Sequence, residues 1–589
     1  MNKYFNRAII GNGKILACLD DKAELIRLFY PNIDYYQNIH TYSLGFVFDG
    51  ENKVYWFKDS EKVNQYYDGN IVYTKLKFSA DNINKEYDVE VLIRDYALID
   101  DSVIVRKIKF SEPLSLMCFS KLNSSPERLV SGMCIMNSLI QYSQDTYFAS
   151  VPCGSNILRS QINNVQKVLE SADLKLEDYI GMSDNSAFLL EPKKEITLFI
   201  SLEENLKDCT SKIDYLKKQN EEELFNSVKK YWREYLDKHL NYFIGNGKYS
   251  NKEIDIIERT ILMYALLTNK ETGAVLASPD VDENFMICGR YGFCWPRDAL
   301  FINDAMILLG MEDIVNNFYS KWANITQLPN GLFEQRYYSN GQLAPSWGLQ
   351  IDETASMIIG INKLKNKHDY AGIVSKATIG MIDFLDENFL SKPCYDLWEE
   401  RRDSHLYSTA SIYNALEASR EILKDSRDCE HLICEIDLIQ PKILSAIKNE
   451  FVEDNVLKRS KYNSITDISS LGASVPFGVF SANDEVVLNS VDKIEKELKT
   501  QNGGYLRYKD DLYYGGNPWI ISSLWLALYY IEAGNKKKAQ DIFDWVTMHA
   551  DDKGFLPEQI DIDTGKTAWI VGLSWSHAMY IIVGKKIKE

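Results

Sequence analysis

Over roughly the first 200 residues, apolar and polar positions alternate in short runs that predict β-strands. Val54-Tyr55-Trp56-Phe57 and Ile71 to Phe78 are rich in β-branched and aromatic residues, and Val89 to Ile93 and Val103 to Ile108 continue the pattern. Turn signals fall between them, at Asp49-Gly50 and Asp68-Gly69-Asn70. Short strands without long helical stretches predict a sandwich rather than a βαβ fold. The spacing changes near residue 220. From Asn220 to Phe243 the apolar residues Leu224, Val228, Tyr231, Trp232 and Tyr235 recur at helical intervals among charges, which predicts a helical connector. Helical patterns then follow one another, as in Ile254 to Leu267, Thr354 to Leu364, Thr409 to Leu423 and Ile520 to Ala533. The rest of the chain has room for about a dozen helices of ordinary length, which suits a toroid of helix pairs with a site at one end. The domains expected are a β-sandwich over 1–219, a helical linker over 220–249 and a helical catalytic domain over 250–589.

Composition narrows the partners. The 589 residues carry a net charge of −18, which disfavours nucleic acid and acidic membranes and leaves a neutral ligand such as a sugar open. The 36 tyrosines and 11 tryptophans include rings that could stack on sugar faces, although most such rings are ordinary half-buried core. The N-terminus lacks the ordered regions of a secretory signal, and no apolar run approaches the length of a membrane span. The ten cysteines include no C-x-x-C pair, and the spacings Cys288/Cys294 and Cys429/Cys434 match no zinc pattern. Reduced thiols in a cytoplasmic protein are the expectation, with no metal and no cofactor.

Generic motifs add little. Gly11-Asn12-Gly13 lacks the third glycine of a dinucleotide site, and there is no P-loop, H-E-x-x-H or G-x-S-x-G. Asp561 to Gly565 starts like a calcium loop, but its glycine comes one place early, so it reads as a turn. Ser576 and His577 are neighbours on a helical stretch and make no triad. The informative segments mix carboxylates, arginine and aromatics with Gly and Pro. They are Tyr291 to Asp298, Ala344 to Glu353, Asp396 to Arg401, Arg507 to Trp519 and Leu556 to Gln559. Within the first, Arg297 beside Asp298 is either a surface ion pair or a donor fork and acceptor for vicinal hydroxyls.

In this order, Trp295-Pro296-Arg297-Asp298, Asp396-Leu397-Trp398-Glu399-Glu400, Gly516-Asn517-Pro518-Trp519 and Pro557-Glu558-Gln559 resemble the segments of glycoside hydrolase family 15, the glucoamylases and their prokaryotic relatives. The resemblance implies an N-terminal β-sandwich followed by an (α/α)6 barrel. It also implies inverting, exo-acting hydrolysis of α-glucosides. Such an enzyme sets a general acid and a general base on opposite sides of the sugar, about 6.5–9.5 Å apart. By the family pattern Glu399 is the acid and Glu558 the base. Trp398 and nearby rings would raise the pKa of Glu399 by desolvation. Glu400 would hold the leaving-group sugar. Arg297 and Asp298 resemble the pair that grips the 4- and 6-hydroxyls of the terminal glucose. Tyr291 and Trp295 resemble the wall around the reacting ring, where a tyrosine oxygen could stabilise oxocarbenium charge. Trp347, Arg507 and Tyr513 match aromatic and basic positions of the first two subsites, while Trp519 and Trp575 are left between core and site.

Two departures qualify the match. The loop after Trp347 runs Gly348-Leu349-Gln350 where fungal members carry an arginine, so a leaving-group contact does not carry over. No starch-binding segment follows Glu558, so soluble oligosaccharide is expected as substrate rather than granular starch. Within the family α-1,4 specificity is placed first, ahead of α-1,6 linkages (glucodextranase or isomaltose glucohydrolase) and trehalose. A non-catalytic glucan-binding module would have no reason to keep both Glu399 and Glu558. A phosphorolytic enzyme would replace the base with a phosphate pocket, and Glu558 argues against that. Oligomeric state is left open.

Overall fold

The computed structural model describes residues 6–163, 165, 180–280 and 290–589. Two compact units divide the chain: Met1–Lys238 with Ala265–Leu267, and His239–Tyr264 with Thr268–Glu589.

The first unit is antiparallel β-structure. Its strands form one connected network of two layers that share the long strand Val103–Leu122. The first half of that strand pairs with Val89–Ala97 and Lys193–Glu203, and the second half with Ile39–Val47 and Asn185–Leu190. Alternation along each strand sends one set of side chains inward. Leu44 and Phe46 from one layer meet Val72, Leu76, Ile93 and Leu198 from the other in a single buried cluster. Phe46 packs edge-on against Phe78 across that core, with ring centroids 5.0 Å apart. The sandwich expected from period-two alternation is the fold observed.

Helix α1 (Leu206–Leu216) follows the last strand, and α2 (Glu221–Ile244) contains the boundary between the units. The second unit opens with α3 (Asn251–Leu267), whose start is fixed by a capping box between Ser250 and Glu253. Six elements then close a ring: α4 (Pro296–Leu308), α6 (Ile351–Asn362), α8 (Leu406–Leu423), the short 3-10 helix Ile468–Ala473, α11 (Ile520–Glu532) and α13 (Ser574–Lys588). Each packs on the next, and α13 returns to α4. Outside them lie α5 (312–326), α7 (Ala371–Asp383), α9 (Glu430–Glu450), α10 (Glu485–Glu497) and α12 (Lys536–Met548), with α3 against α13 through Thr260 and Tyr264. This is an (α/α)6 barrel.

The two rings differ for a simple reason. An inner helix is enclosed on all sides, so α6 is buried from Ile351 to Ile361, α11 from Ile520 to Tyr530 and α13 from Ser574 to Gly584. Outer helices such as α10 and α12 bury one stripe and leave the opposite face charged. Among the described residues no helix is long and apolar enough to cross a membrane. Cys18, Cys118, Cys134, Cys153, Cys209, Cys294, Cys394, Cys429 and Cys434 are free thiols, and Cys288 lies outside the described residues.

Candidate active site

Loops at one end of the inner ring enclose a cavity of about 390 Å3. All eleven residues singled out in the sequence line it: Tyr291, Trp295, Arg297, Asp298, Trp347, Trp398, Glu399, Glu400, Arg507, Tyr513 and Glu558.

The floor is built by the start of α4. Pro296 occupies the first helical turn, where its missing N–H costs nothing. The next amide, of Arg297, donates to Glu353 Oε2 of α6 at 2.5 Å. The Arg297 guanidinium, 3% exposed, is committed to the protein. Its Nη1 lies 3.1 Å from both Asp352 and Glu353, and its Nη2 lies 3.5 Å from Glu399. Asp298 is 7% exposed and, among the described residues, meets only the edge of this cation, at 3.8 Å. Burial, stronger than the pull of Arg297, raises its pKa to about 7. Of the pair read from the sequence, Arg297 keeps its Nε without a hydrogen-bond partner among the described residues, and Asp298 keeps its carboxylate oxygens.

Glu399 sits at the tip of a tight hairpin between the paired segments Cys394–Tyr395 and Arg402–Asp403. The Asp396 carbonyl accepts the Glu399 amide at 2.9 Å, and Asp396 Oδ1 accepts the amides of Glu400 and Arg401. Arg459 fixes the other Asp396 oxygen at 2.5 Å. The turn places Glu399 at φ 63°, the left-handed region, where a side chain costs about 1–3 kcal/mol and persists only if its surroundings impose it. Trp295 Nε1 donates to Glu399 Oε1 at 2.8 Å, and Trp347 Nε1 lies 3.4 Å from the Glu399 carbonyl oxygen. Burial holds the Glu399 carboxyl above the usual carboxylate range against the opposing pull of Arg297 and Arg336.

Glu558 stands on the first strand of the hairpin Pro557–Ile560/Thr567–Val571, whose connecting turn, Asp561 to Gly565, is closed by Asp561 accepting from Thr564. Its Oε1 accepts from the Tyr291 hydroxyl at 2.9 Å and its Oε2 from the Gln559 side-chain amide at 3.2 Å. Burial raises its pKa to about 7, with Tyr291 and Arg507 pulling the other way. His577 holds this segment from behind. Its Nε2 accepts the Leu556 amide at 2.9 Å, so Nδ1 carries the proton and faces Thr260 Oγ1 at 2.7 Å. Burial lowers its pKa to about 3, so the ring stays neutral. Ser576 donates to the Pro557 carbonyl at 2.9 Å. The Ser576-His577 pair is structural support, not a triad.

Glu400 lines the same cavity beside a second network. Arg507 Nη2 donates to its Oε1 at 2.7 Å and the Tyr508 hydroxyl to its Oε2 at 2.5 Å. Arg507 is clamped by Asp511 at 2.7 and 2.9 Å, and Asp511 also accepts the Tyr513 amide. The rings of Trp398, Tyr508, Tyr513 and Trp519 surround the guanidinium at 4.5–5.3 Å. Trp398 is oriented by Asp467, which accepts its Nε1 proton at 3.1 Å. Trp519 and Trp575 are both buried and line the cavity.

Sequence reading missed Arg290, Arg336 and Tyr514 among the lining residues, and Tyr508, Asp511 and Asp467 behind them. Arg336 follows Glu334-Gln335 in a stretch without a motif, so nothing local marked it. Among the described residues no group of three or more His, Cys, Asp or Glu side chains could hold a metal.

The profile of the family described as glycosyl hydrolases family 15 matches residues 251–544, and the chain belongs to that family. It is 25% identical to an uncharacterised glycosyl hydrolase of Methanocaldococcus jannaschii over 94% of both chains. It is 30% identical to an isomaltose glucohydrolase of Kribbella flavida, over 29% of this chain and 44% of that one. The structure of a bacterial glucoamylase complexed with acarbose superposes with a TM-score of 0.81 at 18% identity, covering 99% of this chain and 94% of the other. At that identity the likeness speaks for the fold. The protein is a glycoside hydrolase of family 15.

Proposed function

We propose that the protein is an inverting, exo-acting α-glucosidase that releases β-glucose from the non-reducing ends of α-glucan oligosaccharides. One observation carries the reading. Tyr291 and Trp295, four residues apart in one loop, each donate a hydrogen bond to a different carboxylate of one cavity, Tyr291 to Glu558 and Trp295 to Glu399. Two carboxylates held by separate elements around one cavity are what protonation of a leaving oxygen and activation of a water on the opposite face require.

In this mechanism Glu399 carries the proton and gives it to the glycosidic oxygen as the C1–O bond breaks. Glu558 removes a proton from a water, whose oxygen attacks C1 from the other face, so configuration inverts. The two carboxyls exchange protonation state over the reaction and are reset by solvent. Burial favours the protonated form of both carboxyls, and at Glu558 the Tyr291 hydroxyl and Arg507 offset part of it. Asp298, buried and without a close donor among the described residues, is the acceptor for hydroxyls of the terminal glucose. A chain continuing past that sugar would collide with the floor, which gives exo action.

The α-1,4 linkage is placed first. The identity to an isomaltose glucohydrolase favours α-1,6 as the second reading, and trehalose is the third. Initial rates and products on maltose, isomaltose, trehalose and maltoheptaose test this directly. Fast cleavage of maltose and stepwise glucose release from maltoheptaose are expected. Turnover of isomaltose or trehalose alone would overturn the α-1,4 assignment, and turnover of none would overturn the hydrolytic reading.

A further inference from the structure

Arg336 is a buried cation whose terminal nitrogens meet no hydrogen-bond acceptor among the described residues. It is 6% exposed and lines the cavity. Its Nε donates to the Pro345 carbonyl at 2.8 Å, which fixes one edge of the guanidinium. The plane is held by three rings, Trp347 at 4.5 Å, Phe293 at 4.6 Å and Trp295 at 5.4 Å. Among the described residues no carboxylate lies within ion-pair distance of it. Arg297 and Arg507 differ, because both of those form close ion pairs with carboxylates. A guanidinium fork carries five donors in a fixed plane, and Arg336 spends one of them on the protein. Two paired N–H groups in such a fork match the spacing of two neighbouring hydroxyls on a sugar ring.

Position along the cavity says which sugar. Arg297 and Asp298 at the floor are 3% and 7% exposed, whereas Trp347 is 48% exposed and marks the mouth. Trp347 also reaches the Glu399 carbonyl, and Trp295 reaches the Glu399 carboxylate. Arg336 packs against both of these tryptophans, so it stands on the Glu399 side and toward the mouth. If Glu399 protonates the leaving oxygen, the group leaving past it is the one that meets Arg336.

We propose that Arg336 binds hydroxyls of the leaving-group sugar and sets the enzyme's preference for a sugar over a simple alcohol in that place. This supplies the leaving-group contact that the segment Gly348-Leu349-Gln350 does not, and it rests on the assignment of Glu399 as general acid. The alternative role is electrostatic, since the same cation pulls the Glu399 carboxyl down. The two roles separate cleanly by substrate. Methyl α-glucoside has the same terminal glucose and needs the same protonation, but its leaving group has no hydroxyls for Arg336 to bind.

The test is kcat/KM of wild type, Arg336→Met and Arg336→Lys on methyl α-glucoside and on the best of maltose, isomaltose and trehalose. Loss of a charged hydrogen bond to the leaving sugar is expected to lower kcat/KM on the disaccharide about ten- to hundredfold in Arg336→Met. Methyl α-glucoside should change by less than about threefold, which also shows that the variant is folded. Arg336→Lys keeps the charge but not the fork, and should recover only part of the disaccharide rate. An equal fall on both substrates would overturn the proposal in favour of an effect on Glu399 or the fold. No change on either would overturn it as well. Wild type that cleaves none of these substrates would instead count against the hydrolytic reading itself.

Discussion

Replacing Tyr291 with phenylalanine removes one hydrogen bond from Glu558 and leaves the ring that fills the space beside it. The Tyr291 hydroxyl lies 2.9 Å from Glu558 Oε1 and is the first of the influences that lower the Glu558 pKa, against burial, which raises it to about 7. A hydrogen bond to a carboxylate contributes about 1.5–3 kcal/mol, and one to a neutral acid about 0.5–1.5 kcal/mol. The difference between the two protonation states is therefore about 1–1.5 kcal/mol, or about one pKa unit. Burial of Glu558 is unchanged in Tyr291→Phe, so its pKa should rise from about 7 to about 8.

A general base works only when ionised, so activity must climb as pH rises through the pKa of Glu558. α-Glucosyl fluoride isolates this limb, because fluoride departs without a proton from Glu399. On that substrate wild-type kcat/KM, which reports the free enzyme, should rise through a midpoint near pH 7 to a plateau. In Tyr291→Phe the midpoint should move up by about one unit. Any loss of oxocarbenium stabilisation would lower the plateau and leave the midpoint in place, so the two effects are read separately. A midpoint that stays put or moves down would show that Glu558 does not govern this limb.

Glu399→Gln and Glu558→Gln should each lose about 10²–10⁴ of the rate on a natural substrate, with thermal unfolding close to wild type; near wild-type turnover would remove that residue from its role. Asp298→Ala should lose far more kcat/KM on maltotriose than a surface pair worth about 0–1 kcal/mol allows. Maltotriose capped at its non-reducing 4-hydroxyl should resist wild type, and equal cleavage of capped and uncapped chains would refute the exo grip. Gly273→Ala should lower the melting temperature, because Gly273 has φ 77° and an added Cβ would lie 2.6 Å from the Ile314 carbonyl oxygen. An unchanged melting temperature would show that this turn relaxes freely.

Strands and outer helices were legible because they have one wet face. Ile71–Phe78 is a strand over the residues that alternate, and α2 runs Glu221–Ile244 where spacing predicted Asn220 to Phe243. The 3-10 helix Ile468–Ala473 was not legible, since six enclosed residues containing two serines and a glycine carry no amphipathic period. In the site, the residues that carry a family motif were found, while Tyr508, Asp511 and Tyr514 were passed over inside the segment Arg507 to Trp519. Trp295 and Glu399 come from two such motifs, and the fold brings them within 2.8 Å. Arg336 and Asp467 lie outside every such segment and owe their position to loop packing, which local sequence does not encode. The motif did not show that Arg297 also pairs with Asp352 and Glu353, because those carboxylates come from another helix.

The anomer released first is the most direct test of the two-carboxylate account. Proton NMR during the first minutes of α-glucoside hydrolysis separates α- from β-glucose before mutarotation mixes them. Direct attack by a water activated at Glu558 yields β-glucose first. Initial release of α-glucose would require a covalent glycosyl intermediate and would contradict the assignment of Glu399 as acid and Glu558 as base.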